Sequence, residues 1–250
     1  MKNFKIFIII LTLSVLLFSS VSFAAPDLGD LGIILDKDGD RETTVDTLKL
    51  FIVITILTLA PSFLILTTCF TRIIVVLSFL RNALGTQQAP PNQLLIGLAL
   101  FLTFFIMRPV YTEIMNTSVT PFLEEDITRQ EAMDRGAKPL KEFMLKETRE
   151  KDIALFLRAS GSENVAEPMD VPITTVIPAF ALSELRTAFS MGFLLFIPFL
   201  VIDMVVASIL MSMGMFMLPP VMISLPFKIL LFVLVDGWHV VIKSLIESFI

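Results

Sequence analysis

Cysteine, histidine, tryptophan and tyrosine each occur only once in these 250 residues. A single cysteine, Cys69, rules out an intramolecular disulfide. One cysteine and one histidine, His239, are too few for a zinc-type site within one chain. Charge is scarce as well: 17% of residues are Asp, Glu, Lys or Arg, against about 25% in soluble domains. The net charge is −5, and no basic stripe tracks a nucleic-acid backbone, so no nucleic-acid partner is expected. G-x-S-x-G, Walker and H-E-x-x-H patterns are missing, and the lone histidine lies in an apolar run. The chain is therefore expected not to be an enzyme and to need no cofactor. Two aspartates in neighbouring apolar stretches raise an intramembrane protease, but neither lies in a glycine-flanked G-x-G-D pattern.

Apolar residues fill the space that charge vacates. They make up 55% of the chain, with a mean hydropathy of +0.85. Strings such as FIVITILTLAPSFLIL and FLLFIPFLVIDMVVASILM mark an integral membrane protein. The N-terminus carries Lys2 and Lys5, an apolar stretch over residues 6–18, and small residues at Ser22 and Ala24. That order reads as a secretory signal peptide cut after Ala24, since the apolar stretch falls short of the ~20 residues a span requires. Cleavage would leave the mature N-terminus outside the cytoplasm.

The remainder divides by composition. Residues 25–46 are polar and rich in Gly and Asp, a linker on the periplasmic side. The spacing of DKDGDRETTVD misses the sixth-position glycine and terminal glutamate of a calcium loop. Residues 47–108 form a first hydrophobic helical hairpin. Its opening run, 48–80, exceeds one bilayer crossing, so it either bends at Pro61 or lies partly in protein. Gly85 and Pro90-Pro91 make its turn. Residues 109–185 are charged, with amphipathic patches of short helices, and a loop of that length translocates regardless of charge. Residues 186–250 form a second hydrophobic hairpin, with helices expected near 193–211 and 227–246. The expected fold is an all-α membrane protein: four long hydrophobic helices in two hairpins, with an amphipathic helical periplasmic insertion.

Four ionisable residues, Arg72, Asp203, Lys228 and Asp236, lie within or beside these apolar stretches. Charge at mid-bilayer costs about 2.5–3.5 kcal/mol on insertion scales, so each should find protein or water. One reading is a proton relay through Asp203 and Asp236, as in a proton-coupled membrane transporter subunit. The plainer reading is a set of interhelix or intersubunit ion pairs. His239, three residues beyond Asp236, reads as a satisfied structural histidine.

The second hairpin turns at residues 211–220, MSMGMFMLPP, which hold four of the thirteen methionines. Gly214 and Pro219-Pro220 argue against a regular helix there. Extended backbone would align Met211, Met213, Met215 and Met217 on one side. Such a row either packs on lipid or a neighbouring helix, or is buried where several copies meet.

Three long stretches carry a resemblance: TRIIVVLSFLRNALGTQQAPPNQLLIGLALFLTFFIM, PAFALSELRTAFSMGF and GMFMLPPVMISLPFKILLFVLVDGW. They resemble the FliP/SctR family of type III export-gate proteins, over nearly the whole mature chain. The signal peptide favours the flagellar branch over the homologous virulence secretion branch. The resemblance implies a bacterial inner-membrane protein of the flagellar basal body, assembled as a homo-oligomer of five copies with FliQ-like and FliR-like subunits. It further implies contact with other export-apparatus proteins and membrane lipid, and a pore for unfolded flagellar subunits. Energy would come from the proton-motive force and a separate ATPase. It implies a gasket of Met213, Met215, Phe216 and Met217, and pairing roles for Arg72, Asp203, Lys228 and Asp236.

Overall fold

The computed structural model describes residues 41–86, 89–161, 167–215 and 217–249. The signal peptide, most of the linker and Phe216 lie outside the described residues. The chain divides into two compact units, residues 1–59 and 60–250. Every regular element among the described residues is helical. The described part of the first unit belongs to helix α1 (Arg41–Thr67), whose start precedes the expected hairpin boundary by six residues. Its segment Leu48–Thr67 is long and apolar enough to cross a membrane.

Pro61 lies inside α1, and the helix runs through it. The interruption comes at Thr68 and Cys69, before α2 (Phe70–Leu84). Three threonine hydroxyls lie around it. Thr67, Thr68 and Thr71 donate hydroxyl hydrogen bonds to the carbonyls of Phe63, Leu64 and Ile65 at 2.7–2.9 Å. The first two are the i to i−4 back-bonds that Thr55 and Thr58 also make within α1, whereas the Thr71 bond spans the interruption and meets a carbonyl in the last turn of α1.

Helix α2 supplies the centre of the main core through Ile73, Val76, Leu77 and Leu80, all at or near zero exposure. It ends on Gly85, whose φ of +75° closes the turn by donating to the Asn82 carbonyl. Helix α3 (Asn92–Ile106) returns along it, burying Leu95, Ala99 and Leu102. A 55° bend at Met107 leads into α4 (Arg108–Ile114), a π-helical turn (Met115–Val119) and α5 (Thr120–Leu123).

Next, α6 (Arg129–Glu147) starts with a capping box, Thr128 and Glu131 each bonding the other's backbone N–H. Helix α7 (Glu150–Ser160) follows. Both pack on the early turns of α8 around Met144, Val171, Val176 and Phe180. Buried Asp152 accepts from the Ser183 hydroxyl of α8 at 2.5 Å and from the Arg149 guanidinium at 2.6 Å.

Helix α8 (Ile173–Ser212) is 40 residues long and passes through Pro178 and Pro198. At ~1.5 Å per residue it measures about 60 Å, twice the ~30 Å hydrocarbon thickness of a bilayer. The sequence reading starts this helix near residue 193 and places a segment boundary at 185/186, which the helix crosses without interruption. The reason is a buried stripe at Val176, Phe180, Glu184, Ala188 and Gly192, spaced by four. Packing along that stripe outweighs the hydrogen bond lost at Pro178. A Cβ on Gly192 would stand 2.5 Å from the Phe79 ring, so glycine is what admits α2 this closely.

Helix α9 (Pro220–Leu234) runs back along α8, with Phe199 against Phe232 and Asp203 against Lys228. A 63° bend separates it from α10 (Gly237–Glu247). Among the described residues, two helices are long and apolar enough to cross a membrane, or up to four if each bent pair counts as one span.

Candidate functional site

The charged residues picked out in the sequence fall into three different settings. Arg72 is almost wholly enclosed, at 3% exposure. Its guanidinium donates to both carboxylate oxygens of Glu184, through Nε at 2.9 Å and through Nη2. Nη2 also reaches Glu147 at 2.8 Å. Nη1 donates to the Ser248 carbonyl at 3.0 Å and to its hydroxyl at 3.1 Å. The Phe249 ring lies 3.8 Å from the guanidinium carbon. Four segments therefore converge on one cation: α2, the end of α6, α8 and the residues after α10. Planar, multiply forked donation is what a guanidinium does and an ammonium cannot.

Asp203 and Lys228 form a second site. Lys228 Nζ lies 2.6 Å from Asp203 Oδ2, and the Ser224 hydroxyl donates to Oδ1 at 2.5 Å. Lys228 is 3% exposed and Asp203 28%. Gly85 abuts this site from the α2 turn: a Cβ there would stand 3.7–3.8 Å from Val221, Leu225 and Lys228 Nζ. Both polar clusters thus tie elements within one chain.

Asp236 is placed otherwise. It occupies the left-handed region, φ +51° and ψ +53°, at the bend between α9 and α10. That conformation is uncommon for a residue bearing a side chain. Gly237 follows because a Cβ would stand 2.2 Å from the Phe232 ring. Asp236 is exposed and makes no side-chain bond among the described residues. His239 is likewise exposed and bonds to nothing there, so it is not the satisfied histidine the sequence suggests.

The methionine stretch is a helix end, not an extended row. Met211 belongs to the last turn of α8, and Met213 caps it. Gly214, at φ +76°, donates to the Met211 carbonyl at 3.1 Å, and Met215 donates to the Leu210 carbonyl at 3.0 Å. Those two bonds define the Schellman closure of a helix on a glycine. Met213, Met215 and Met217 emerge from it at 66%, 43% and 97% exposure. A wholly apolar cavity of about 460 Å³ lies beside the turn, between α8 and α9.

Sequence reasoning passed over Glu184, Glu147, Ser224, Ser248 and Phe249. Glu184 carried a usable signal, because it falls on the four-residue stripe of buried positions that includes Phe180 and Ala188. Ser248 and Phe249 gave none, since only the tertiary fold carries the C-terminal turn to Arg72.

These features define an all-helical membrane protein whose overlong apolar helices are clamped together by enclosed ion pairs. The FliP family model matches residues 53–245, and the chain belongs to that family. It is 59% identical over 213 residues to a protein of Bacillus subtilis (strain 168) named flagellar biosynthetic protein FliP, covering 85% of this chain and 96% of the relative. A protein of the same name from Aquifex aeolicus (strain VF5) is 53% identical over 207 residues, covering 82% and 87%. One from Pectobacterium carotovorum subsp. carotovorum is 53% identical over 203 residues, covering 81% and 79%.

Proposed function

We propose that this chain is a core subunit of the flagellar type III protein export gate, forming with its copies a pore for unfolded flagellar subunits. In this reading it sits in the inner membrane within the flagellar basal body, with residues 109–185 on the periplasmic side. Five copies assemble with FliQ-like and FliR-like subunits and contact the other export-apparatus proteins. Arg72, Asp203 and Lys228 hold each copy together, and Asp236 is left for pairing between subunits. Met213, Met215, Phe216 and Met217 form a gasket that closes the pore.

The observation that carries this reading is the exposure of three methionines around a glycine-closed helix end. Such a turn is costly to leave in water but well suited to burial against identical turns, because unbranched thioether side chains repack at little cost. The names of the relatives favour the flagellar branch over virulence secretion. Engagement of Asp203 by Lys228 and Ser224 favours pairing over a proton relay.

The test replaces Met213, Met215 and Met217 together with Ala. All three are exposed, so the chain should still assemble with its partners, while cells leak ions or small solutes through the gate. Unchanged leakage together with unchanged export would remove the gasket assignment.

A further inference from the structure

Arg72 has no donor to spare. A guanidinium carries five N–H groups. Nε and one Nη2 hydrogen serve Glu184, the other Nη2 hydrogen serves Glu147, and both Nη1 hydrogens serve Ser248. Two carboxylates therefore share one nitrogen, with Glu184 at 0% exposure and Glu147 at 10%. Drawn as ions, the cluster encloses one positive charge and two negative ones.

No second cation closes that deficit among the described residues. Lys146 of α6 is exposed and turns its ammonium to the Phe249 carbonyl, 3.4 Å away. Arg149, ahead of α7, is paired with Asp152 at 2.6 Å. Lys243 and Glu247 of α10 lie 3.8 Å from each other, at 61% and 63% exposure. Arg186 is exposed, two residues past Glu184 and so on another face of α8. On α2 the next cation is Arg81, which bonds Asn92 instead.

Two carboxylates held at one enclosed site, with a single counter-charge between them, do not both ionise; one proton stays. The geometry leaves a place for it. Both Glu184 oxygens accept from Arg72, while Glu147 accepts through Oε2. Glu147 Oε1 accepts nothing among the described residues, so a proton there displaces no bond.

We infer that the Arg72 cluster is a proton-binding site: the Glu147–Glu184 pair keeps one proton in the folded chain at neutral pH, and its loss releases the end of α6. The proton belongs to the pair, not to either residue. When it passes to water, the surplus charge is relieved by the carboxylate that can leave. Glu184 is enclosed and doubly bonded, whereas Glu147 has one bond and a path to water. Only the Arg72–Glu147 bond breaks, which frees the last turn of α6 from α2. The inference concerns proton binding and goes beyond the export-gate reading.

The experiment uses the full chain purified in mild detergent. Infrared spectra at neutral pH should show the stretch of a protonated carboxyl. Glu147→Gln and Glu184→Gln should each remove it, because either leaves one carboxylate to one guanidinium. Equilibrium unfolding supplies a second readout. Unfolded glutamates release their protons near a pH of about 4.3, the folded pair at a higher pH. The pair's contribution to stability is therefore present below about pH 4.3 and is lost as pH rises through the folded value. Over that interval the folding constant of the unaltered chain should fall about tenfold per pH unit relative to Glu147→Gln, the slope of one retained proton. Glu147 lies at the edge of the cluster and its amide keeps an oxygen for Arg72, so this variant should fold as the parent does.

A carboxyl stretch missing from the unaltered chain, or surviving in either variant, would overturn the inference. So would stabilities of the unaltered chain and Glu147→Gln that run parallel from about pH 5 to 9. Lys146→Met lowering stability as far as Arg72→Met would also overturn it, by making Lys146 the second counter-charge. A methionine variant without leak, in a chain that keeps the proton, would sink the gate reading alone.

Discussion

Replacing Arg72 with Met removes one charge while keeping most of the side-chain volume. The fold places Glu184 at 0% exposure and Glu147 at 10% against that guanidinium. The substitution therefore strands a fully enclosed carboxylate, with a second close by. Removing one partner of a buried ion pair costs about 3–5 kcal/mol. Loss of the Phe249 contact adds about 0.5–2 kcal/mol where, as here, the cation is desolvated. These terms are not independent, so the expected destabilisation is about 4 kcal/mol, a large share of the ~5–15 kcal/mol typical of a folded domain. Glu184→Gln should cost less, because Arg72 keeps Glu147 and an amide oxygen still accepts. The double variant should recover part of the loss, giving a coupling of about 2 kcal/mol or more for groups in direct contact. Equilibrium unfolding of the four proteins in mild detergent measures the cycle. Should Arg72→Met cost under about 1 kcal/mol, the range of an exposed pair, the enclosed cluster would not be holding the four segments together.

Three further outcomes follow from the same physics. Asp203→Ala should strand the enclosed Lys228 ammonium and cost about 3–5 kcal/mol. The exchange Asp203→Lys with Lys228→Asp should restore most of it, short of the Ser224 bond at about 1 kcal/mol; unfolding midpoints of the single and exchanged variants decide it. Gly237→Ala pushes a Cβ into the Phe232 ring and should destabilise by about 1–3 kcal/mol. Adding Phe232→Leu should relieve it, and a melting temperature indifferent to the second change would refute the clash. Finally, burial raises the Asp152 carboxyl, but the Ser183 hydroxyl and Arg149 guanidinium prevail and hold it below the ordinary aspartate range. Because the folded value lies below the unfolded value of about 3.9, this contribution is present above that pH and is lost as pH falls through the folded value. Protection factors of the amides in α7, exchange rates taken relative to the unstructured chain at the same pH, should therefore fall on acidification below about pH 4, and Asp152→Asn should remove the dependence; identical profiles would exclude Asp152 as its source.

Family and helical class were legible from sequence because both rest on local pattern. Apolar runs of spanning length, proline and glycine punctuation, and three long motifs need no knowledge of what lies opposite. Gly85 and Gly214 were readable as chain reversals, since a positive φ is a backbone property that composition records. Helix ends were less legible. Pro61 reads as a possible bend in one dimension, yet the helix runs through it, and the break after α1 comes at Thr68 and Cys69.

The sequence by itself determined that charges within apolar helices must find partners, and it pointed to Arg72, Asp203, Lys228 and Asp236. Only the tertiary structure decided which partners they found. Asp203 meets Lys228, 25 residues away, while Arg72 meets Glu184, Glu147 and Ser248, which are 75 to 176 residues distant. Asp236 meets none of the described residues. The reason is that desolvation is a local cost, written into each stretch of chain, whereas its compensation depends on which helices the fold lays side by side.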